Sequence, residues 1–453
     1  MNAKRKMTGI QRLMLWLYRC VWVLGLPLVL VYLRARGRRD PAYRLHLGER
    51  FGHGPTLAGA VVVHAVSLGE MRSAVPLVRA LLERGEQVVT THLTPAGRRA
   101  SESAFRPEIA AGQLVARYLP LELGFAWHQF LRAPPKLVLA LEIEIWPVMI
   151  AELARAGVPL FLANSQYPAR SYARDLRFAH RFGHPVAFVS AVLAKSQTHA
   201  ARFVSLNAPD VTVCGELRFD QPIPQPLLAA ARTLLQGVGS GLPARRVVAV
   251  TSVVEGEDAS YLAIYRSVQD ACRARGVAAP LFLHIPRAPE RFAAVGALLE
   301  AAGQRLLYRS RAFGPELDPV GTPDFGPVDV LLGDSLGEMY FYLALADLVA
   351  VGGGFLASGA HNVIEPLALL KPVLVGPNVW SIEYPGVEAV EAGVMQICPT
   401  PTAMAEAILA ALADPASLAA IGVKASAFFA DHSGATARML AVLAPVLDGE
   451  PCY

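Results

Sequence analysis

Charge and cysteine are both scarce in this chain of 453 residues. Asp, Glu, Lys and Arg make up 17% of it against 53% hydrophobic residues, which excludes an intrinsically disordered chain. The formal net charge is only +5, and no Lys/Arg-rich tract is present, so nothing calls for nucleic acid as a partner. The five cysteines, Cys20, Cys214, Cys272, Cys398 and Cys452, form no CxxC pair and are odd in number. That argues against a disulfide framework or a zinc site and fits reduced thiols in a cytoplasmic setting. There is no Walker sequence and no His/Cys/Asp spacing that suggests a metal. Internal repeats and low-complexity segments are also missing.

The length calls for two domains of roughly 200 residues. Ahead of them, Lys4, Arg5, Lys6 and Arg12 precede an apolar run from about Met14 to Leu33, and Arg34, Arg36, Arg38 and Arg39 follow it. The run is long enough for a bilayer, although Arg19 and Pro27 interrupt it. No small-residue cleavage site follows, so a removable signal peptide is not expected. Residues 1–39 are read as an anchor that spans or lies in the membrane, with the bulk of the chain cytoplasmic and the flanking arginines suited to lipid phosphates. The alternative is a buried helix of a soluble domain.

From about residue 60, short apolar runs alternate with helical patterns. Strands are expected at 61–66, 87–93, 136–144, 158–164, 189–195 and 211–215. A break follows, with QPIPQP (221–226) and GVGSGLP (237–243). The pattern restarts at 245–252, 280–285, 328–333, 347–353 and 371–376. Such alternation predicts parallel, doubly wound sheets, one in a domain at 40–225 and one at 226–453, the last helices included. Ligands bind such sheets at the carboxyl ends of their strands.

Several loops at those ends carry chemistry. HAVSLGE (64–70) delivers Glu70 to a helix start, where a carboxylate is stabilised. It is a candidate functional carboxylate, or simply the cap of that helix. LEIEIWP (141–147) sets Glu142 and Glu144 on the same side of an apolar strand, where two acids are costly without a purpose. In PRAPERF (286–292), Arg287 follows a strand and is placed to meet a phosphate or carboxylate. GDSLGE (333–338) is a glycine turn opening a helix, whose amides suit a phosphate. VGGGFLASGAHNVIEP (351–366) runs from a strand through glycines to His361, Asn362 and Glu365, the shape of a nucleotide site with a carboxylate for ribose hydroxyls.

HxVSxGE, TxTPxG (here THLTPAG, 91–97), YLPxxL (118–123), ExExWP, PRxPERF, GDxxGE and GxHNxxEP occur in that order. In order and spacing they resemble the 3-deoxy-D-manno-octulosonic acid (Kdo) transferases of lipopolysaccharide assembly, over nearly the whole chain. The resemblance implies an α/β GT-B fold, two Rossmann-like domains facing a cleft behind an N-terminal membrane-anchor helix. It also implies inverting transfer of Kdo from CMP-Kdo to a lipid A precursor, without metal or other cofactor, at the cytoplasmic face of the inner membrane. The partners implied are therefore a CMP-sugar, a lipid acceptor and the membrane surface.

By the same resemblance Glu70 is the general base, and Glu142 and Arg218 act on the transition state. CMP is held by Pro286 and Arg287, by Leu336, Gly337 and Glu338, and by Asn362, Val363, Ile364 and Glu365. This chain departs from the family pattern at several polar positions: Ala288 stands for His, Gly354 for Ser, Ala360 for Gly and Val148 for Asn. The asparagine loop reads NSQYPARS (164–171). These departures motivate one alternative, a related transferase for another activated sugar or envelope lipid; a second alternative, of a different class, is a non-catalytic lipid- or nucleotide-binding descendant.

Overall fold

The computed structural model describes residues 6–236, 242, 245–321 and 323–450. Lys4, Arg5, Cys452 and most of the expected GVGSGLP linker lie outside the described residues. The chain forms two compact units. One comprises Met1–Gln221 with His432–Tyr453, the other Pro222–Asp431.

The first unit is built on a seven-stranded parallel sheet of β1 (Val61–His64), β2 (Val88–His92), β3 (Leu114–Tyr118), β4 (Leu137–Leu141), β5 (Leu160–Ser165), β6 (Ala191–Ala194) and β7 (Val211–Val213). Their order is β3-β2-β1-β4-β5-β6-β7. Helices cover both faces, which is why the central strands read as unbroken apolar runs. Val61 and Val63 face one core with Leu137 and Leu139, whereas Val62 and Val138 face the other with Trp127 and Met149.

Four helices of this unit matter below: α1 (Gly9–Arg36), α2 (Leu68–Glu83), α3 (Pro147–Ala156) and α4 (Ala169–Phe182). In α2, Met71, Ala74, Leu77, Val78 and Leu81 are buried, the spacing of a core-facing helical stripe. Pro76 lacks the N–H that would bond to Arg72 O, and the Gln221 side chain donates to that carbonyl instead, at 2.8 Å.

The last helix, Ala435–Leu447, corrects the sequence-based domain assignment, which placed it in the second domain. Ala435, Met439 and Leu443 belong to the same core as β1 and α2. Asp220 accepts hydrogen bonds from Gly434 N and Thr436 N, both 2.6 Å, and so caps its start.

The second unit repeats the plan with β8 (Val247–Val253), β9 (Leu281–Pro286), β10 (Leu306–Tyr308), β11 (Val330–Leu332), β12 (Leu348–Val351), β13 (Val373–Val375) and β14 (Met395–Ile397), ordered β10-β11-β9-β8-β12-β13-β14. In both sheets every pairing is parallel.

Among the described residues α1 is the one unbroken helix long and apolar enough to cross a membrane. It is not free of the first unit. Leu15, Tyr18, Trp22, Leu26 and Val29 pack against that unit's buried residues, and Arg19 pairs with Glu152 at 2.7 Å. The opposite face, with Leu13, Leu24 and Leu28, is exposed.

Candidate active site

In a doubly wound sheet the crevice forms where the strand order reverses. In the first sheet that point lies between β1 and β4, which deliver HAVSLGE and LEIEIWP. Ser67 caps α2, and Glu70 in its first turn folds back. Glu70 Oε2 accepts from Val66 N at 2.7 Å, and Oε1 accepts from the Ser67 hydroxyl at 2.9 Å. The carboxylate is therefore fixed by the helix it caps, while the residue stays only half-buried.

Glu144 lies near it. Its Oε2 accepts from Trp146 Nε1 at 2.5 Å and stands 3.9 Å from Nε2 of His64. Burial pushes Glu144 up to about 7, the charges of Glu70 and Glu142 add to the shift, and the Trp146 hydrogen bond opposes it. His64 is fully buried, with Nδ1 3.1 Å from Thr91 O. That contact assigns the proton to Nδ1 and leaves Nε2, which has no hydrogen-bond partner among the described residues, as a lone pair facing Glu144. Burial lowers His64 to about 4, so the ring is neutral.

Glu142 lies just past the end of β4, in a turn with φ +62, so it and Glu144 are not side by side on the strand as the sequence suggested. Glu142 Oε1 accepts from Lys195 Nζ at 2.6 Å and from Asn164 Nδ2 at 3.2 Å. Lys195, 3% exposed, also holds Glu216 at 2.8 Å. Glu216 Oε1 accepts from Asn164 Nδ2 and from Arg218 N. One lysine between two buried acids cannot fully satisfy both. Lys195, Arg218 and the Asn164 amide outweigh burial at Glu216 and hold it down at about 2, whereas burial pushes Glu142 upward. Arg218 Nε donates to Ser73 Oγ at 2.9 Å, one turn along α2 from Glu70. Glu70, Glu142 and Arg218 thus come together at one end of one sheet.

In the second sheet the reversal lies between β8 and β12. Here the main chain dominates. Glu257, fully buried, accepts from Gly353 N at 2.6 Å and Phe355 N at 3.1 Å, and so pins the glycine loop after β12. A side chain at Gly354 would meet Gly376 N at 2.6 Å, so in this chain the two glycine backbones pack directly on one another there.

Pro286 ends β9, and Arg287 Nη1 lies 2.6 and 2.8 Å from the ring nitrogens of His361. Burial and then the Arg287 charge lower His361 to about 4. Asn362 Oδ1 accepts from Ile364 N at 3.0 Å, Val363 caps the helix Ile364–Ala368, and Glu365 lies in its first turn. Leu336 is 68% exposed, and Gly337 has φ +85, which suits glycine. Glu338 is engaged by both guanidinium arms of Arg309, with Nε 2.6 Å from Oε2, and by the Ser335 hydroxyl. Its carboxylate therefore fixes the loop in which it sits.

Residues 45–221 match the family model described as 3-deoxy-D-manno-octulosonic-acid transferase (kdotransferase). A 3-deoxy-D-manno-octulosonic acid transferase of Bordetella pertussis is 38% identical over 92% of this chain and 96% of its own length. The chain belongs to the Kdo transferase family. A Haemophilus influenzae member is 29% identical over 95% of this chain and 98% of its own. Kdo transferases are glycosyltransferases, and the GT-B arrangement is shared by solved structures. These include UDP-GlcNAc 2-epimerase from Neisseria meningitidis bound to UDP-GlcNAc, with 12% identity and TM-score 0.54 over 85% of this chain and 99% of that one. Another is a UDP-forming α,α-trehalose-phosphate synthase from Burkholderia vietnamiensis, with 11% identity and TM-score 0.51 over 86% and 99%.

Within this Kdo transferase family member, sequence reasoning overlooked Lys195, Glu216, Asn164 and Glu257. Lys195 carried a usable signal: it is a charge at the carboxyl end of an apolar strand, as Glu142 is. Glu257 had none for its role in the loop after β12, because Gly353 and Phe355, whose amides it holds, lie nearly a hundred residues away.

Proposed function

We propose that this chain transfers Kdo from CMP-Kdo to a hydroxyl of a lipid A precursor, with inversion and without a metal. The observation that supports it most is Glu70, a half-buried carboxylate at the first sheet's reversal point, in a chain 38% identical to a Kdo transferase over nearly its full length. Glu70 removes the acceptor's proton as the new glycosidic bond forms. The bond from the anomeric carbon to the phosphate oxygen breaks, and CMP departs with the electron pair. A monophosphate leaving group does not require a cation bridging two phosphates. Arg287 and the loops at Gly337 and Asn362–Glu365 stabilise it and hold the nucleotide. Glu142 and Arg218 tune the field around the base.

The acceptor is membrane-bound, and α1 is the anchor that brings the protein to the inner membrane's cytoplasmic face. Gln11 lies against Gly183, Arg19 pairs with Glu152, and Arg36 donates to Tyr43 at 3.2 Å. A helix held along its length on a domain with a polar surface lies in the membrane interface and does not cross the hydrocarbon layer.

The test is incubation of the full chain with lipid A precursor and, separately, CMP-Kdo, other CMP-sugars and UDP-sugars, with products read by mass spectrometry. A Kdo-adduct only with CMP-Kdo is expected. Transfer of a different sugar, or none, overturns the reading.

A further inference from the structure

A cavity of about 220 Å³ opens between α1, α3 and α4, walled by Met14, Leu15, Ile150, Phe178, Phe182 and Phe188. Of all the residues lining it, only Gln11, Tyr18 and His184 carry polar side chains. A lining this apolar gains by covering its surface with an apolar ligand rather than with water.

Three features of its surroundings say which ligand. The cavity is bounded by α1, whose outer face exposes Leu13, Leu24 and Leu28, so it adjoins the side of the protein that suits lipid. On its other flank α4 carries exposed Arg170, Arg174, Arg177 and Arg181 and buries none of its residues, a surface suited to anionic headgroups. Finally, Pro147 lines the cavity, and the residue before it, Trp146, donates to Glu144 beside Glu70. The cavity therefore sits between a lipid-facing helix, a cationic helix and the acid cluster.

We propose that this cavity receives one acyl chain of the acceptor lipid, with the lipid's phosphates against the arginines of α4 and its sugar hydroxyl directed toward Glu70. The proposal rests on the lipid-acceptor reading above. It assigns to α1 a share of the substrate site, so that anchoring and acceptor recognition use the same helix.

The experiment uses the full chain in lipid nanodiscs. A lipid A precursor with a diazirine at the end of an acyl chain is photolysed, and labelled peptides are mapped. Labelling at Met14–Tyr18, Ile150 and Phe178–Phe182 is expected, and it should be competed by unlabelled acceptor but not by excess phospholipid.

In parallel, Met14→Trp fills the cavity. The preference for acylated over deacylated acceptor, as a ratio of kcat/KM values, should fall about tenfold, roughly the effect of losing two buried methylenes. Leu24→Trp, on the outer face, should keep the preference. Label competed equally by phospholipid, or an unchanged preference in Met14→Trp, overturns the proposal. If Met14→Trp does not fold, the labelling of the unmodified protein decides alone. Labelling of the cavity with no transfer to either acceptor would overturn the acceptor assignment instead, which separates the two failures.

Discussion

The two sheets share one topology but equip their reversal points differently. In the first, Glu70, Glu142, Glu144, Lys195, Glu216 and His64 form a cluster of titratable side chains around β1, β4 and β6. In the second, the loop after β12 is held by amides bonded to Glu257 and by glycine-to-glycine contact at Gly354 and Gly376. Proton transfer needs groups whose affinity for a proton can be tuned by burial and neighbours. The amides of Gly353 and Phe355 are taken up by Glu257, which gives that loop a fixed shape. One fold thus separates a tunable site from a fixed one by writing the first in side chains and the second in backbone.

The largest test of that contrast is Glu70→Gln. Turnover should fall by about 10²–10⁴-fold, with CMP affinity by calorimetry unchanged. The amide oxygen can still accept from Val66 N, so Tm should move by only a few degrees. Near-normal turnover with a lowered Tm would reduce Glu70 to a helix cap.

Next is Lys195→Met, which strands Glu142 and Glu216 without their shared cation. Removing one partner of a buried pair costs about 3–5 kcal/mol, or on the order of 10 °C in Tm for a domain of this size. Thermal melts should show this while CMP binding persists. An unchanged Tm would mean the cluster is solvated and the contrast between the sheets is superficial.

Arg287→Ala probes the other side. Loss of one charge-assisted hydrogen bond should weaken CMP binding about tenfold to thirtyfold. A much larger loss in calorimetry would place the phosphate on side chains after all.

The smallest effect is in pH dependence. Glu144, raised to about 7, binds its proton more tightly folded than unfolded. The resulting stability is complete below about 4.5, the ordinary value, and is lost as pH rises through 7. Glu144→Gln stays neutral throughout, so its unfolding free energy should decline less than wild type between pH 5 and 8, by roughly 2–3 kcal/mol at most. Glu122, also raised to about 7 by burial, leaves a residual slope of the same sign.

The central strands were legible because both their faces are covered. VVVHAV and VDVLLG read as apolar runs with a single polar residue each, His64 and Asp329. The three strands that sequence reasoning missed are β3, β10 and β14, and each is a sheet edge. Gln396 and Ile397 in β14 are exposed, and Arg117 in β3 turns its guanidinium to the carbonyls of His53 and Pro55. A strand with one neighbour needs less apolar sequence, so it carries less signal. The last helix was misassigned for another reason: its apolar face is equally compatible with either core, and only the cap from Asp220 and the packing of Met439 on the first sheet distinguish them. At the site, single acids at strand ends were readable. Glu257 was not recognised, because the loop it holds lies nearly a hundred residues away; Lys195 was passed over although a charge at the end of an apolar strand was there to read.

That last helix has a consequence for synthesis. The first domain's core includes Ala435, Met439 and Leu443, yet about two hundred residues of the second domain separate them from Gln221. At ~5–20 residues per second, the ribosome needs roughly 10–40 s to cover that distance. Through that interval the surface of α2 awaiting the helix has no cover, and the domain made first is the one finished last. The nascent chain therefore carries an open apolar seam until Ala435–Leu447 is made.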